Sequence, residues 1–187
     1  MLVLTSNGLR AFARLRFVAF SWMMLTGLLP AASVAQTKPL PEATRRANLE
    51  AQLTEMEQAF MKEDFEAYAD FMHPDVLRVA GGADVLAKQL RQGMEQLSAQ
   101  GGKVSKVSHG APSRIVGADR ELQCTVPQTT EFQLAAATKT TQSTLLAVSS
   151  DGGQHWAFLD TNGKDWETVR RLVPSLSREI ELPGRKQ

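Results

Sequence analysis

The sequence predicts an α+β domain in which three helices come first and a curved antiparallel sheet follows, closed by a short C-terminal helix. Two observations carry this. Between residues 42 and 102 apolar side chains recur at three- and four-residue spacings, and after Lys103 they recur in short β-branched or aromatic runs separated by turn residues. Helices segregated in sequence from antiparallel strands make an α+β fold.

The first helix occupies residues 42–62. Leu49, Leu53, Met56 and Phe60 form one apolar stripe, and Arg46, Glu50, Glu55 and Glu57 fall on other faces. Asp64 is placed to cap a second, shorter helix in which Phe65, Tyr68, Ala69 and Met72 share a side. Pro74 lacks an amide hydrogen and restricts His73, so this helix is expected to end there, with Val76-Leu77-Arg78-Val79 as a short strand. Gly81-Gly82 turns the chain. Val85, Leu86, Leu90, Met94 and Leu97 then make a third amphipathic helix, which Gly101-Gly102 ends.

The strand region follows in order: Val104 and Val107, Ile115 and Val116, 122–126, Phe132 and Leu134, 145–148, and 156–159. Pro127 lies inside one of these runs and predicts an edge or a bulge where the sheet bends. The polar strip TKTTQST (138–144) reads as an exposed hairpin arm or edge, with Lys139 discouraging edge pairing. Residues 165–172 suggest a last helix stopped by Pro174. The domain is therefore expected to span 42–175, with 176–187 as a C-terminal tail.

The N-terminus predicts export. Residues 1–35 carry Arg10, Arg14 and Arg16 and no acid, and residues 17–29 (FVAFSWMMLTGLL) are uncharged and too short for a membrane span of roughly 20 apolar residues. Pro30 follows, and small residues at Ser33 and Ala35 predict cleavage between Ala35 and Gln36. Residues 36–41 then form a proline-bearing linker. Removing those three arginines from the 21 basic side chains leaves 18 against 20 acids, a net charge of −2. The expected product is periplasmic or secreted, with no membrane attachment after cleavage, and its charge offers no footprint for nucleic acid. Its single cysteine, Cys124, forms no internal disulfide and reads as a small buried residue in an alternating run.

The order helix, short helix, HPD, strand, GG, helix and curved sheet is similar to the nuclear transport factor 2-like (cystatin-like cone) superfamily. The resemblance rests on AFMKEDFEAYADFMHPDVLRV (59–79), GGADVLAKQLRQGM (81–94) and SSDGGQHWAFLD (149–160), and it extends to small exported bacterial members of unassigned function. It implies a cone between helices and sheet. Isomerases and dehydratases of this superfamily place carboxylate, tyrosine and histidine side chains in such a cone, whereas other members only bind.

Three function classes follow. The leading expectation is an exported non-enzymatic domain that binds a small apolar ligand or a protein partner. The alternative is a lyase or isomerase in which His73 and Tyr68 act as the acid/base pair, oriented by Asp70 or Asp75. A third is a homodimer through the sheet, because sheets of the superfamily often pair back to back. No cofactor is expected. Neither is a metal, since His73, Asp75, His109 and His155 show no paired ligand spacing. SSDGGQHW resembles the Asp-box of sialidases and other β-propellers, but a propeller would repeat it, so a single copy reads as a hairpin turn. Trp156 and Trp166 are assigned to packing.

Overall fold

The computed structural model describes residues 40–135 and 137–182. The expected signal peptide, residues 36–39 of the linker and the last five residues lie outside this range. Among the described residues no helix is long and apolar enough to cross a membrane. The elements form an α+β arrangement of helices α1–α4, an antiparallel sheet β1–β5, and helix α5.

Helix α1 (Glu42–Met61) buries Leu49, Leu53, Met56 and Ala59, one face of its cylinder. Each large member is worth about 1.5–3 kcal/mol on removal from water. Helix α2 (Phe65–Ala69) starts on the expected cap, where the Asp64 carboxylate accepts from the Ala67 amide at 3.1 Å. It ends at Ala69, before the proline reaches it. The cause is tertiary: the Phe158 amide donates to the Phe71 carbonyl at 2.8 Å and the His73 amide donates to the Phe158 carbonyl at 2.9 Å, drawing residues 71–73 out of the helix.

The segment expected as a strand is helix α3 (Pro74–Ala80), so four helices precede the sheet and not three. Pro74 opens a helix here because the first helical position needs no amide hydrogen and favours its fixed φ. The His73 ring caps it, with Nδ1 accepting from the Asp75 amide at 3.2 Å. Gly81 (φ 96°) closes it, donating to the Leu77 carbonyl at 3.0 Å, and the Gly82 amide donates to the same carbonyl at 2.8 Å. Helix α4 (Ala83–Ala99) follows as expected and buries only Ala87 fully.

Strands β1 (Lys103–His109), β2 (Val116–Ala118), β3 (Glu121–Leu134), β4 (Ala137–Ser149) and β5 (Ala157–Asp160) are ordered β1-β3-β4-β5, with β2 also on β3. Strand β3 pairs with β4 along its length. Its other side is shared, by β2 over residues 121–123 and by β1 over 128–133. Pro127 sits in the gap between those two neighbours, in a central strand and not at a sheet edge. Its carbonyl accepts from the Gly110 amide at 2.8 Å, so its nitrogen faces the side where no strand asks for a donor. The bulge lies in β1, between Val104 and Lys106.

The sheet carries a core on each face. Helix α1 covers Cys124, Val126, Leu145, Ala147 and Phe158. The opposite face buries Val116, Leu146, Val148 and Leu159 under helix α5 (Trp166–Leu172) and the chain beyond it. Leu176, Ile180 and Leu182 belong to that second core, at 7%, 2% and 6% exposure, so the segment expected to be a tail from residue 176 is part of the domain. A buried glutamine fastens it. Gln123 donates to the Ser175 carbonyl at 3.2 Å and accepts from the Ser177 amide at 2.9 Å, which satisfies both ends of its amide.

Candidate functional site

The space between helices and sheet is where a site was expected, and β-strand alternation decides what faces it. Val107 and His109 lie two apart on β1 and point the same way, opposite their register partners Thr130 and Gln128 on β3. Met56, Glu57 and Phe60 on α1 and Tyr68 on α2 close over them. The cavity they line is about 40 Å³ and partly open to solvent. That is room for ordered water, whereas pockets for organic ligands run from roughly 300 to 1,000 Å³.

Five polar side chains line this cavity, those of Glu57, Tyr68, His109, Gln128 and Thr130. His109 Nδ1 is 3.5 Å from Glu57 Oε2, and its Nε2 is 3.1 Å from Gln128 Oε1. Gln128 Nε2 in turn donates to the Ser143 hydroxyl at 3.3 Å. The Tyr68 ring leans on Phe60, with centroids 5.3 Å apart. Burial pushes the Tyr68 hydroxyl up to about 12, and nearby Asp160 adds to the rise, so at neutral pH it can donate a proton but not accept one as phenolate. The arrangement supplies one donor and one histidine–carboxylate pair. Glu57 and His109 were not singled out together from the sequence, because 52 positions separate them; the available signal was His109 in alternation with Val107.

The expected acid/base set does not assemble here. Tyr68 lines the cavity, but His73 and Asp75 are at the start of α3 and are not among its lining residues. His73 is only 8% exposed and spends its Nδ1 lone pair on the Asp75 amide, which requires the neutral ring with its proton on Nε2. Asp75 is held by Arg78 at 2.9 Å. Asp70 is exposed at the end of α2. The site His73 occupies is a helix N-terminus, the opposite of the C-terminal position the sequence suggested.

Burial lowers the His73 pKa below 6.5, and the Asp75 and Glu121 charges oppose the shift only in part. The unfolded chain therefore binds the extra proton first, so stability is full above 6.5 and declines as pH falls through the folded value. A His73→Asn variant keeps a capping side chain and should flatten this slope, which one proton limits to about 1.4 kcal/mol per pH unit. Urea unfolding between pH 7.5 and pH 5 checks it; an unchanged slope in the variant would assign the titration to another group.

SSDGGQHW is a β4–β5 turn. Asp151 Oδ1 accepts from the Ser149 hydroxyl and from the amides of Gln154 and His155 at 2.9, 3.0 and 3.0 Å, and Oδ2 lies 2.6 Å from His155 Nδ1. Helix α1 reads the turn from above: Asn48 donates to the Gly153 carbonyl, Gln52 donates to the Gln154 carbonyl, and the Gln52 side-chain oxygen accepts from the Trp156 amide, each at 2.9 Å. Trp156 is buried in the core, and Cys124 is fully buried with its thiol pushed by burial up to about 12. Among the described residues no group of three or more histidine, cysteine, aspartate or glutamate side chains could hold a metal ion.

No family model matches the sequence, and no curated protein matches it. Solved structures do. A protein from Catenulispora acidiphila shows 14% identity and a TM-score of 0.46, with the match covering 64% of this chain and 94% of that one. A structure from the same organism in complex with S-DNPA shows 15% identity and a TM-score of 0.46, over 64% of this chain and 90% of that one. A Nostoc punctiforme domain, described as of unknown function with a cystatin-like fold, shows 17% identity and a TM-score of 0.42, over 75% of this chain and 91% of that one.

Proposed function

We propose that the chain is an exported, nuclear transport factor 2-like domain without catalytic activity, and that what it binds in the cell envelope is a protein and not a small apolar ligand. The observation that supports this is the cavity of about 40 Å³ between helices and sheet, too small for an organic guest. Apolar surface is instead spent outward: Val79 and Val85, on either side of the α3–α4 turn, are 66% and 41% exposed. Two larger concavities, about 640 and 580 Å³, lie on the side of the sheet away from α1 and are lined mostly by polar side chains.

Native mass spectrometry of the exported protein, together with titration by an apolar fluorescent probe, tests this reading. The expected mass begins at Gln36 and carries no small-molecule adduct, and the probe shows no saturable binding. A one-to-one complex with an apolar molecule would sink the protein-partner reading, a periplasmic species retaining Met1 would sink cleavage after Ala35, and a chain found only in the cytoplasmic fraction would sink export.

One observation favours a lyase or isomerase as second reading: Tyr68, His109 and Glu57 face one cavity, a donor beside a histidine–carboxylate pair. In this version His109 takes the part expected of His73, and Phe60 must move to admit substrate. The Phe60→Ala variant is then expected to bind small cyclic ketones and exchange their α-protons with D2O, and Tyr68→Phe is expected to slow that exchange at least 100-fold. If Phe60→Ala shows no exchange by NMR, the enzyme reading falls.

A further inference from the structure

Strand β4 is thirteen residues long and β5 only four. On the β3 side every β4 residue has a partner, but β5 pairs only Leu145–Val148. The half of β4 from Ala137 to Ser143 is therefore an open edge. Which backbone groups face outward follows from alternation. Thr144 turns its carbonyl away from β3, since it accepts from the Thr161 amide at 2.9 Å and the Thr161 hydroxyl at 2.7 Å. Two-residue periodicity then points the amides and carbonyls of Gln142, Thr140 and Thr138 outward as well. None of these has a backbone partner among the described residues.

Such an edge is usually blunted by proline, a bulge or several charges. This one carries Lys139 and otherwise Ala, Thr, Gln and Ser. We infer that the β4 edge pairs antiparallel with the same edge of a second copy of this chain, in the register that sets Thr140 opposite Thr140 of the other copy. That register pairs Thr138 with Gln142 in both directions and uses each outward-facing group, for about six new backbone hydrogen bonds. Sliding it by one position, to centre on Thr141, would ask for Thr144, whose carbonyl Thr161 already occupies.

Side chains and space agree with a second copy as the occupant. In this register Lys139 lies opposite Thr141, so no like charges face each other directly, and the other pairs are Thr140 with Thr140, Thr138 with Gln142 and Ala137 with Ser143. In this register Ala137 of the other copy lies opposite Ser143, at the rim of the concavity of about 640 Å³ that Gln142, Ser143, Thr144 and Asn162 help to line. A foreign extended peptide would need pockets for its alternate side chains, and the edge presents threonines and serine without an apolar pocket. One strand pair is a small interface, so the dimer is of the weak, concentration-dependent class. The edge would pair in this way whether or not the cavity under α1 holds a guest.

Disulfide trapping of the full exported chain reads the register. Cys124 is fully buried and does not compete. Under mild oxidation Thr140→Cys is expected to yield a dimer on non-reducing gels at least ten times faster than Thr138→Cys alone, and an equimolar mixture of Thr138→Cys and Gln142→Cys to yield the mixed dimer. In sedimentation velocity, Thr140→Pro removes an outward amide the monomer does not use and is expected to abolish the dimer with its far-ultraviolet circular dichroism unchanged. Lys139→Thr removes two lysines that lie diagonally across the join and is expected to raise the dimer fraction several-fold. The inference is overturned if the chain sediments as a monomer at every concentration, if Thr138→Cys alone links as fast as Thr140→Cys, or if Thr140→Cys links only to a different protein.

Discussion

A chain ended after Ser175 does not hold its fold at 25 °C. The truncation removes Leu176, Ile180 and Leu182, all buried beneath the sheet, and burial of each is worth about 1.5–3 kcal/mol. Together they amount to roughly 5–9 kcal/mol, against a total stability of about 5–15 kcal/mol for an ordinary domain. The loss is compounded at Gln123, which is fully buried and would lose the Ser177 amide as donor. Circular dichroism and urea unfolding of the truncated chain check this, and Ile180→Ala gives a gentler version, with an expected loss of about 2–5 kcal/mol. Should the truncated domain melt within a few degrees of the full one, residues 176–182 would be the dispensable tail that their sequence suggests.

Replacing Asp151 by alanine is expected to cost about 1–2 kcal/mol and to change how stability responds to acid. Partial burial would raise the Asp151 pKa, but hydrogen bonds from the His155 amide and ring, the Ser149 hydroxyl and the Gln154 amide outweigh it and hold the group at about 2. The folded pKa lies below the ordinary 3.8, so this contribution is complete above 3.8 and is lost as pH falls toward 2. The magnitude is discounted because about a third of the side chain meets solvent. Thermal unfolding at pH 6 and pH 2.5 should show a clear gap between wild type and Asp151→Ala at the higher pH and a much smaller one at the lower. An equal gap at both would mean that turn geometry, and not the carboxylate's charge, carries the effect.

Where a local signal and its tertiary surroundings agree, the sequence was legible. The Leu49–Leu53–Met56 stripe, the Asp64 cap, the glycine pair at 81–82 and the Asp151 turn each act through neighbours a few residues away. Val76-Leu77-Arg78-Val79 misled because four residues cannot separate a two-residue period from a helical one, and because a proline that ends one helix looks the same as one that begins the next. The second core was hidden for another reason: Leu176, Ile180 and Leu182 follow neither period, since an irregular chain crosses the sheet there. Nothing local links Glu57 to His109. Their proximity exists only once α1 lies across β1, and strand pairing then brings Gln128 to the same place.

Pro127 bears on how this chain tolerates change in length. Because it offers no amide hydrogen toward the gap between β1 and β2, the connection spanning that gap is under no demand to supply a strand of fixed length there. Gly110 and Ser113 anchor its two ends, to the Pro127 and Thr125 carbonyls at 2.8 Å each, and the chain between them is exposed at Ala111. Extra residues placed after Ala111 would loop into solvent while both anchors and the β3 register stay in place. The proline thus makes this one connection a natural port, where an epitope or a short guest peptide can be carried without rewriting the sheet.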